Sequence, residues 1–371
     1  MLGQQNIYVL RDKETAEFRY APLFALMMSG LAWMDEDYAD TVWYILNFCL
    51  LIISFILLKK LIIPNELHFR RFFILYVLTI LAVLRFILHN LDSGQTNILM
   101  LASMLIGLYY ISRKQELLGG AALAFSIMIK YTPLIFIPYF IIRRKFKLSL
   151  IIALFIVIYL ALPAFFTGFK TNLLYVKGLI PYLTNSTILD KMTILDPKNQ
   201  SLLSFFHRIF TRCVMYFYAP VMPFQSLNVK EGAINLIFTL SAFALYLAIL
   251  YVPKRIRLNK KTSFFNHLDY AALFICAALF NLNAWMPNYI FLAYAYFLLI
   301  FYLMQHKPKD ITVSIFMISS FILNIATIKV ILGKTLSYKL HFYSPFTISA
   351  LIILFLLLKI KYSILRHNAF K

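Results

Sequence analysis

The stretch LLGGAALAFSIMIKYTPLIFIPYFII, residues 117–142, carries a single charged side chain, Lys130, near its middle. A charge at the depth of a bilayer is costly unless it pairs, reaches the interface or faces an aqueous cavity. Basic residues flank the stretch on both sides, at 113–114 and 143–147. The chain is therefore expected to enter and leave the membrane on one side, with Lys130 near the far turn. This pattern predicts a fixed positive charge at the outer end of a helix bundle, which suits an anionic head group.

The composition is that of an integral membrane protein. The 371 residues are 62% hydrophobic, with a mean hydropathy of +0.78, which is more apolar surface than a soluble domain of this length buries. The net charge of +21 arises from short basic clusters between apolar runs, which orient helices, so nucleic-acid binding is not expected. The three cysteines are isolated and lack metal-binding or disulfide spacing. Neither a metal nor another cofactor is expected.

Eleven apolar stretches are long enough to span a membrane, either upright or tilted. They cover residues 39–58, 72–88, 95–111, 117–130, 132–142, 148–167, 232–252, 268–284, 287–305, 311–331 and 346–360. A basic cluster follows every odd-numbered stretch, which places those ends on the cytoplasmic side by the positive-inside rule. The sequence predicts an all-α polytopic membrane protein of about 11 transmembrane helices, in which 117–142 is two spans or one broken hairpin.

This count predicts a single membrane domain with outer-face loops. Its parts are an outer loop with an interfacial helix (1–38), an N-terminal helix bundle (39–167), a large outer loop (168–231) and a C-terminal helix bundle (232–371). The first part falls outside although no apolar stretch precedes it. Either a helix precedes this chain or residues 21–34 cross the membrane, and the first alternative is favoured because 21–34 is short and followed by acidic residues.

Several polar residues lie where apolar stretches end. Arg85 and Asp92 share one helix face if the second stretch continues as a helix. They form either a structural ion pair or a site in which Arg85 holds a phosphate and Asp92 polarises a hydroxyl group. Gln95 and Asn97 either cap the third stretch or contact a ligand with their amides. Lys130 itself either binds an anion or extends to the outer interface.

Asn199, Gln200 and Ser201 precede a stretch whose apolar residues recur near helical spacing. These three residues are expected to cap an amphipathic helix. The free N–H groups in the first turn of that helix could also bind an anion. Arg208 would then add a charge-assisted hydrogen bond to the same anion. Near the N-terminus, the charged residues Glu17 and Arg19 belong to a mixed run that either forms a solvated surface or lines a pocket.

The order of four motifs along the chain resembles glycosyltransferase family 87. The motifs are Phe18-Arg19-Tyr20-Ala21-Pro22-Leu23-Phe24-Ala25-Leu26, Gly94-Gln95-Thr96-Asn97, Lys130-Tyr131-Thr132-Pro133 and Asn199-Gln200-Ser201. The resemblance implies a GT-C-type fold in a bacterial inner membrane. It also implies transfer of a hexose, with mannose as the expected sugar, from a polyprenyl-phosphate donor to a lipid or glycan acceptor on the outer face.

The resemblance also implies which residues form the site. The expected contacts with the donor phosphate and the substrates are Lys130, Arg85, Gln95, Asn97, Arg19, Tyr20, Asn199, Gln200, Ser201, Arg208, Trp285 and Asn288. The family's catalytic aspartate would lie upstream of Met1, which leaves Asp92 and Glu17 as substitutes within this chain. A histidine is expected shortly after Trp285, where this chain has Asn288 instead. These two departures raise the alternative of a truncated, inactive homologue.

Two further alternatives remain. A lipid-linked glycan polymerase or ligase would use a pyrophosphate-linked donor. A flippase or transporter of lipid-linked sugar would spread charged residues through the bilayer midplane and often carry inverted repeats. Here the charges gather at the predicted outer rim and no inverted repeat is apparent, which favours an enzyme.

Overall fold

The computed structural model describes residues 7–8, 18, 20–63, 68–184, 191–211, 227, 229–251, 262–305 and 311–369. The described residues form helices and turns and contain no β-strand, which confirms the all-α class. The chain forms two compact units. Unit 1 holds Met1–Leu61 and Asn90–Leu189, and unit 2 holds Ile62–His89 and Asp190–Lys371. The single-domain organisation stays a prediction.

The described α-helices are, in chain order, α1 (Pro22–Ser29), α2 (Glu36–Ile62), α3 (Phe69–Asp92), α4 (Asn97–Ser112), α5 (Glu116–Ile129), α6 (Phe136–Ile142), α7 (Phe146–Ala161), α8 (Ala164–Thr167), α9 (Phe169–Thr184), α10 (Lys191–Leu195), α11 (Leu202–Phe210), α12 (Glu231–Leu250), α13 (Thr262–Leu279), α14 (Leu292–Gln305), α15 (Ile311–Ile325), α16 (Lys329–Phe342) and α17 (Pro345–Ala369). Short 3₁₀ helices cover Leu31–Trp33, Thr132–Ile135 and Met286–Phe291.

Six helical segments are long and apolar enough to cross a membrane. They are Glu36–Ile62, Phe69–Asp92, Phe146–Thr167, Glu231–Leu250, Met286–Gln305 and Pro345–Arg366. A seventh span would combine α15 and α16, which are bent by 88° at their junction. All eleven predicted stretches are largely helical, but a count of eleven spans is not confirmed. The other four are shorter apolar helices, and α4 shows why: most of its side chains are buried in protein, so its apolarity does not require lipid contact.

Helices α4 and α5 of unit 1 pack with their backbones unusually close together. A Cβ atom added at Gly107 would lie 2.7 Å from the Leu123 side chain and 3.1 Å from the carbonyl oxygen of Gly119. Small residues allow such close approach in membrane helix pairs. The two helices form a hairpin, so the start of α4 and the end of α5 lie at the same end of the pair. This arrangement brings Asn97 close to Lys130.

In unit 2, α13 packs against α14 and α17, and α15 packs against α17. A buried ion pair joins α13 to α17, with 2.8 Å between Lys361 Nζ and Asp269 Oδ1. Both side chains are almost completely excluded from solvent. Removing one member of such a pair leaves an uncompensated buried charge, so the pair ties the two helices together.

The predicted orientation can be tested by cysteine labelling after the native cysteines are replaced. A cysteine at Gln115, in the turn between α4 and α5, is expected to react only after the membrane is permeabilised. Cysteines at Glu36 and Leu336 are expected to react from outside in intact cells. The reason is the charge asymmetry between the two sets of loops. Labelling at Gln115 in intact cells would contradict the proposed orientation.

Candidate functional site

The helix breaks where the lone charge of the 117–142 stretch lies. Helix α5 ends at Ile129, and Lys130 has extended backbone angles (φ −146°, ψ 143°). Pro133 occupies the first turn of the 3₁₀ helix that follows. Proline lacks an amide hydrogen and its ring clashes with a helical carbonyl group four residues earlier, here that of Ile129, so Pro133 prevents α5 from continuing. The predicted break of this segment is therefore confirmed.

A relay of polar side chains holds the Lys130 ammonium group in unit 1. Lys130 Nζ donates a hydrogen bond of 2.8 Å to Asn97 Oδ1. Asn97 Nδ2 in turn donates to Asn90 Oδ1 at 3.1 Å. Both asparagines are fully buried, whereas Lys130 is partly buried. Asn97 is thus a fixed neutral partner of the ammonium group.

Two threonines beside this relay have unpartnered hydroxyl groups. Thr96 precedes Asn97, and Thr132 follows Lys130 by two residues. Both side chains are buried, and neither Oγ1 atom has a hydrogen-bond partner among the described residues. Because buried polar groups are almost always hydrogen-bonded, the two hydroxyl groups offer hydrogen bonds to a bound polar molecule.

The N-terminal segment packs against the same end of unit 1. The Ala21 amide donates to the Met128 carbonyl oxygen at 3.4 Å, two residues before Lys130. The Phe24 ring contacts the ring of Trp43, and Trp43 Nε1 donates to the Gly94 carbonyl oxygen at 2.9 Å. Three of the predicted motifs, at 18–26, 94–97 and 130–133, therefore meet in one unit.

The other predicted residues of unit 1 lie around these motifs. Tyr20 is partly buried, and its carbonyl oxygen accepts a hydrogen bond of 2.8 Å from the Tyr8 hydroxyl. Gln95 is partly buried and its amide donates locally, to the Ser93 carbonyl oxygen at 3.3 Å. Asp92 is exposed at the end of α3, two residues after Asn90. Glu17 and Arg19 lie outside the described residues.

In unit 2, the side chains of the motif at 199–201 stabilise a turn and do not form an open surface. All three side chains are fully buried. Asn199 Nδ2 donates to the Leu282 carbonyl oxygen at 3.0 Å, and Gln200 Nε2 donates to the His341 carbonyl oxygen at 2.9 Å. Ser201 Oγ accepts from the Ser204 amide at 3.0 Å and caps α11, as predicted. The capping interpretation is confirmed for Ser201, and a ligand contact by these residues stays a prediction.

Arg208 is fully buried in unit 2 and links separate parts of the chain by hydrogen bonds. Its guanidinium group donates to the carbonyl oxygens of Asp196 and Asn199 at 2.8 Å and of Phe342 at 3.1 Å. It also donates to the hydroxyl of Ser344. These bonds hold together three separate parts of the chain, so the described surroundings of Arg208 are those of a structural residue.

Replacing Arg208 by methionine is expected to lower the free energy of unfolding by about 3 kcal/mol, because several buried acceptors lose a charged donor at once. Arg208→Lys should recover part of the loss, since lysine restores charge without the fork of donors. The measurement is thermal unfolding of the purified protein in detergent. Unchanged stability combined with a loss of substrate affinity would instead assign Arg208 to the binding of a ligand.

The predicted residues around Trp285 lie beside the 199–201 turn. The Ala284 amide donates to Asn199 Oδ1 at 3.2 Å, which places Trp285 next to that turn. Trp285 is 43% exposed, and the Lys198 ammonium group lies 5.9 Å from the centre of its ring. Asn288 is buried in the 3₁₀ helix that leads into α14. The side chain of Trp285 is thus accessible to a ligand, whereas that of Asn288 is not.

Arg85 also belongs to unit 2, and its partners are neutral. It donates to Thr327 Oγ1 at 2.7 Å, to the Thr327 carbonyl oxygen at 2.9 Å and to the Asn324 carbonyl oxygen at 3.0 Å. Its guanidinium group lies 5.1 Å from the centre of the Phe346 ring. Among the described residues no carboxylate pairs with Arg85, so the ion-pair alternative loses its support there.

A comparison with known protein families tests the family resemblance that the four motifs indicated. The family model of glycosyltransferase family 87 matches residues 18–280, which is more than half of the chain. The chain belongs to glycosyltransferase family 87. None of the curated proteins and none of the solved structures matches it significantly. The matched range includes all four motifs and ends before Trp285.

For a glycosyltransferase of family 87, the structure adds residues that sequence reasoning missed. Asn90 accepts a hydrogen bond from Asn97, and Thr96 and Thr132 lie within two residues of Asn97 and Lys130 along the chain. Each is a common polar residue near the end of an apolar stretch, so nothing in the linear pattern separates it from a capping residue. The described part of the chain contains no group of three or more His, Cys, Asp and Glu side chains able to hold a metal.

Proposed function

We propose that this glycosyltransferase moves a hexose, with mannose as the first candidate, from a polyprenyl-phosphate donor to a lipid or glycan acceptor on the outer face of a bacterial inner membrane. The observation that carries the proposal is the Lys130–Asn97–Asn90 relay. It holds a cation at a helix break, in an otherwise apolar hairpin. Membership of the family supports the general class of reaction.

The surroundings of Lys130 suit a phosphate group in particular. The bond to Asn97 fixes the position of the ammonium group, whose N–H groups are donors that suit phosphate oxygens. Thr96 and Thr132 add two buried hydroxyl groups without partners among the described residues. Charge-assisted hydrogen bonds to phosphate oxygens are the strong kind, and the apolar helices around the cluster weaken competition from water.

The reaction requires a base as well as a phosphate site. An acceptor hydroxyl oxygen attacks the anomeric carbon of the sugar, the bond from that carbon to the phosphate oxygen breaks, and polyprenyl phosphate leaves with the bonding electrons. The proton of the hydroxyl group goes to a carboxylate within hydrogen-bond reach. Among the described carboxylates of unit 1, Asp92 is the nearest in sequence to the relay, and we assign it this role.

A transfer assay tests the proposal directly. The purified protein, reconstituted in lipid, is given radiolabelled mannose linked to polyprenyl phosphate, to polyprenyl pyrophosphate or to a nucleotide, with a membrane extract as the source of acceptor. Label is expected in the acceptor only with the monophosphate donor, and a chelator should leave the rate unchanged. Transfer from the pyrophosphate donor would favour a polymerase or ligase. Movement of labelled donor across the bilayer without transfer would favour a flippase.

A further inference from the structure

A short basic sequence recurs in unit 1 at two turns between helices. Residues 109–114 read YYISRK and lead from α4 to α5, and residues 139–144 read YFIIRR and lead from α6 to α7. In the first copy the guanidinium carbon of Arg113 lies 5.4 Å from the centre of the Tyr109 ring. The corresponding distance in the second copy is 5.3 Å. The two turns therefore hold an arginine against an aromatic ring in the same way.

Both turns also end their helix with the same backbone geometry. Lys114 and Arg144 have φ angles of 63° and 59°, in the left-handed region, and both side chains are exposed. The amide of the next residue, Gln115 or Lys145, donates back to a carbonyl oxygen of the preceding helix at 2.9 or 2.8 Å. Glycine is the usual residue at this position of a helix end. The turns themselves therefore do not require a cationic side chain at 114 and 144.

The two turns lie side by side at one end of unit 1. Near the start of α5 and α7, the Lys147 ammonium group lies 3.8 Å from a carboxylate oxygen of Glu116. One helical turn further along both helices, a Cβ atom added at Gly120 would lie 2.5 Å from the Ile151 side chain. Helices α5 and α7 thus run in the same direction and in contact from the two turns. This end of α5 is the one opposite to Lys130.

The surface formed by the two turns is cationic and bordered by apolar side chains. Glu116 is the only acidic residue in the range 93–189, and Lys147 already lies beside it. Lys60 of α2 adds a cation, with its ammonium group 5.7 Å from the centre of the Tyr109 ring. Three apolar side chains close to the turns in the chain are more than half exposed, namely Leu117, Ile142 and Phe146. Cations beside exposed apolar side chains suit the head group and acyl chains of an anionic lipid, whereas free phosphate would not account for the apolar part.

We propose that the turns at 113–114 and 143–144 form a paired binding site for an anionic phospholipid of the cytoplasmic leaflet. Each turn binds one phosphate group of a lipid that carries two, of the cardiolipin type, and the acyl chains lie along the exposed apolar side chains. Basic pockets between helices on the cytoplasmic side suit such head groups, and the positive-inside rule gives this end of unit 1 that side. The site is separate from the proposed donor site, because Lys130 lies at the other end of α5.

The lipid preference is tested with the full chain in a nonionic detergent. Dissociation constants are measured by thermal shift for short-chain cardiolipin, dioctanoyl phosphatidylglycerol and dioctanoyl phosphatidylcholine. We expect cardiolipin to bind at least tenfold more tightly than phosphatidylglycerol, because two linked phosphate groups contact two turns, and phosphatidylcholine to bind least. Equal affinity for cardiolipin and either other lipid would overturn the proposal. Lys130→Met should bind cardiolipin like the wild type, and a loss of binding there would assign the lipid to the donor site instead.

A double variant separates lipid binding from the structure of the turns. Lys114→Gly combined with Arg144→Gly removes one cation from each turn and supplies the residue that the left-handed backbone favours. Cardiolipin affinity is expected to fall roughly tenfold or more, while the unfolding temperature does not fall. Asparagine also tolerates this conformation, so Lys114→Asn combined with Arg144→Asn is a second such pair.

The matched control removes two charges elsewhere in unit 1. Lys170→Gln combined with Lys177→Gln replaces two exposed lysines of α9 and should leave cardiolipin affinity unchanged. An equal loss of affinity in this control would reduce the effect to net charge and overturn the proposal. Wild-type affinity in the glycine and asparagine variants would also overturn it, because the basic turns would then serve only to orient the helices.

Discussion

Lys130→Met is expected to lower the affinity for a polyprenyl-phosphate ligand roughly 10- to 100-fold while the protein remains folded. The variant keeps an unbranched side chain of similar length but removes the charge that the relay holds through Asn97. Asn97 retains its bond to Asn90, so the rest of the buried polar relay stays in place. Affinity is measured in detergent with a short-chain polyprenyl phosphate, and folding by thermal unfolding of the same samples.

Two comparisons make this result specific to Lys130. Lys130→Arg should be partly tolerated, because the charge remains while the geometry of the donors changes. Lys147→Met removes an exposed lysine of the same unit, whose ammonium group lies 3.8 Å from Glu116, and should bind like the wild type. If Lys130→Met retained wild-type affinity, Lys130 would be an interfacial anchor and not a phosphate ligand.

The helices of this chain could be predicted from its sequence, but the number of spans could not. Runs of apolar residues show that a segment avoids water, and α4 and α5 are helices as expected. The same runs do not distinguish a helix surrounded by lipid from one surrounded by protein. The side chains of α4 are mostly buried inside the protein, so its 16 residues need not cross the membrane alone.

The candidate site around Lys130 could likewise be predicted only in part from the sequence. The break at Lys130 could be predicted because Pro133 ends a helix for local reasons. The partnership of Lys130 with Asn97 and Asn90 depends on the packing of separate helices, which local sequence does not encode. The motifs at 94–97 and 130–133 nevertheless meet in unit 1, because they lie at the same end of the α4–α5 hairpin.

Helix α11 buries polar side chains that its amphipathic pattern alone would leave exposed. Its polar residues Ser204, His207 and Arg208 are buried, whereas Phe205 and Phe206 are partly exposed. The tertiary contacts of Arg208 account for this, because its guanidinium group donates to carbonyl oxygens from separate parts of the chain. Those contacts depend on packing that the local pattern does not encode.

Asp92→Asn is expected to reduce the rate of sugar transfer by roughly 10²- to 10⁴-fold, the range that general-base assistance contributes. Asparagine keeps the size of the side chain and its hydrogen bonding but does not take up the proton of the acceptor hydroxyl group. Asp92 is exposed, so its loss should leave the stability of unit 1 nearly unchanged. The measurement compares single-turnover transfer by the two proteins at saturating donor.

The prediction separates catalysis from binding. Donor affinity should stay within a few-fold of the wild type in Asp92→Asn, whereas in Lys130→Met the affinity itself should fall. Glu116→Gln is the matched control, since Glu116 begins α5 and therefore lies at the opposite end of that helix from Lys130. A wild-type rate in Asp92→Asn would exclude Asp92 as the base, and Glu17→Gln would then be the next replacement. A loss of rate confined to Asp92→Asn would place the base beside the relay, within hydrogen-bond reach of an acceptor whose donor phosphate is held by Lys130.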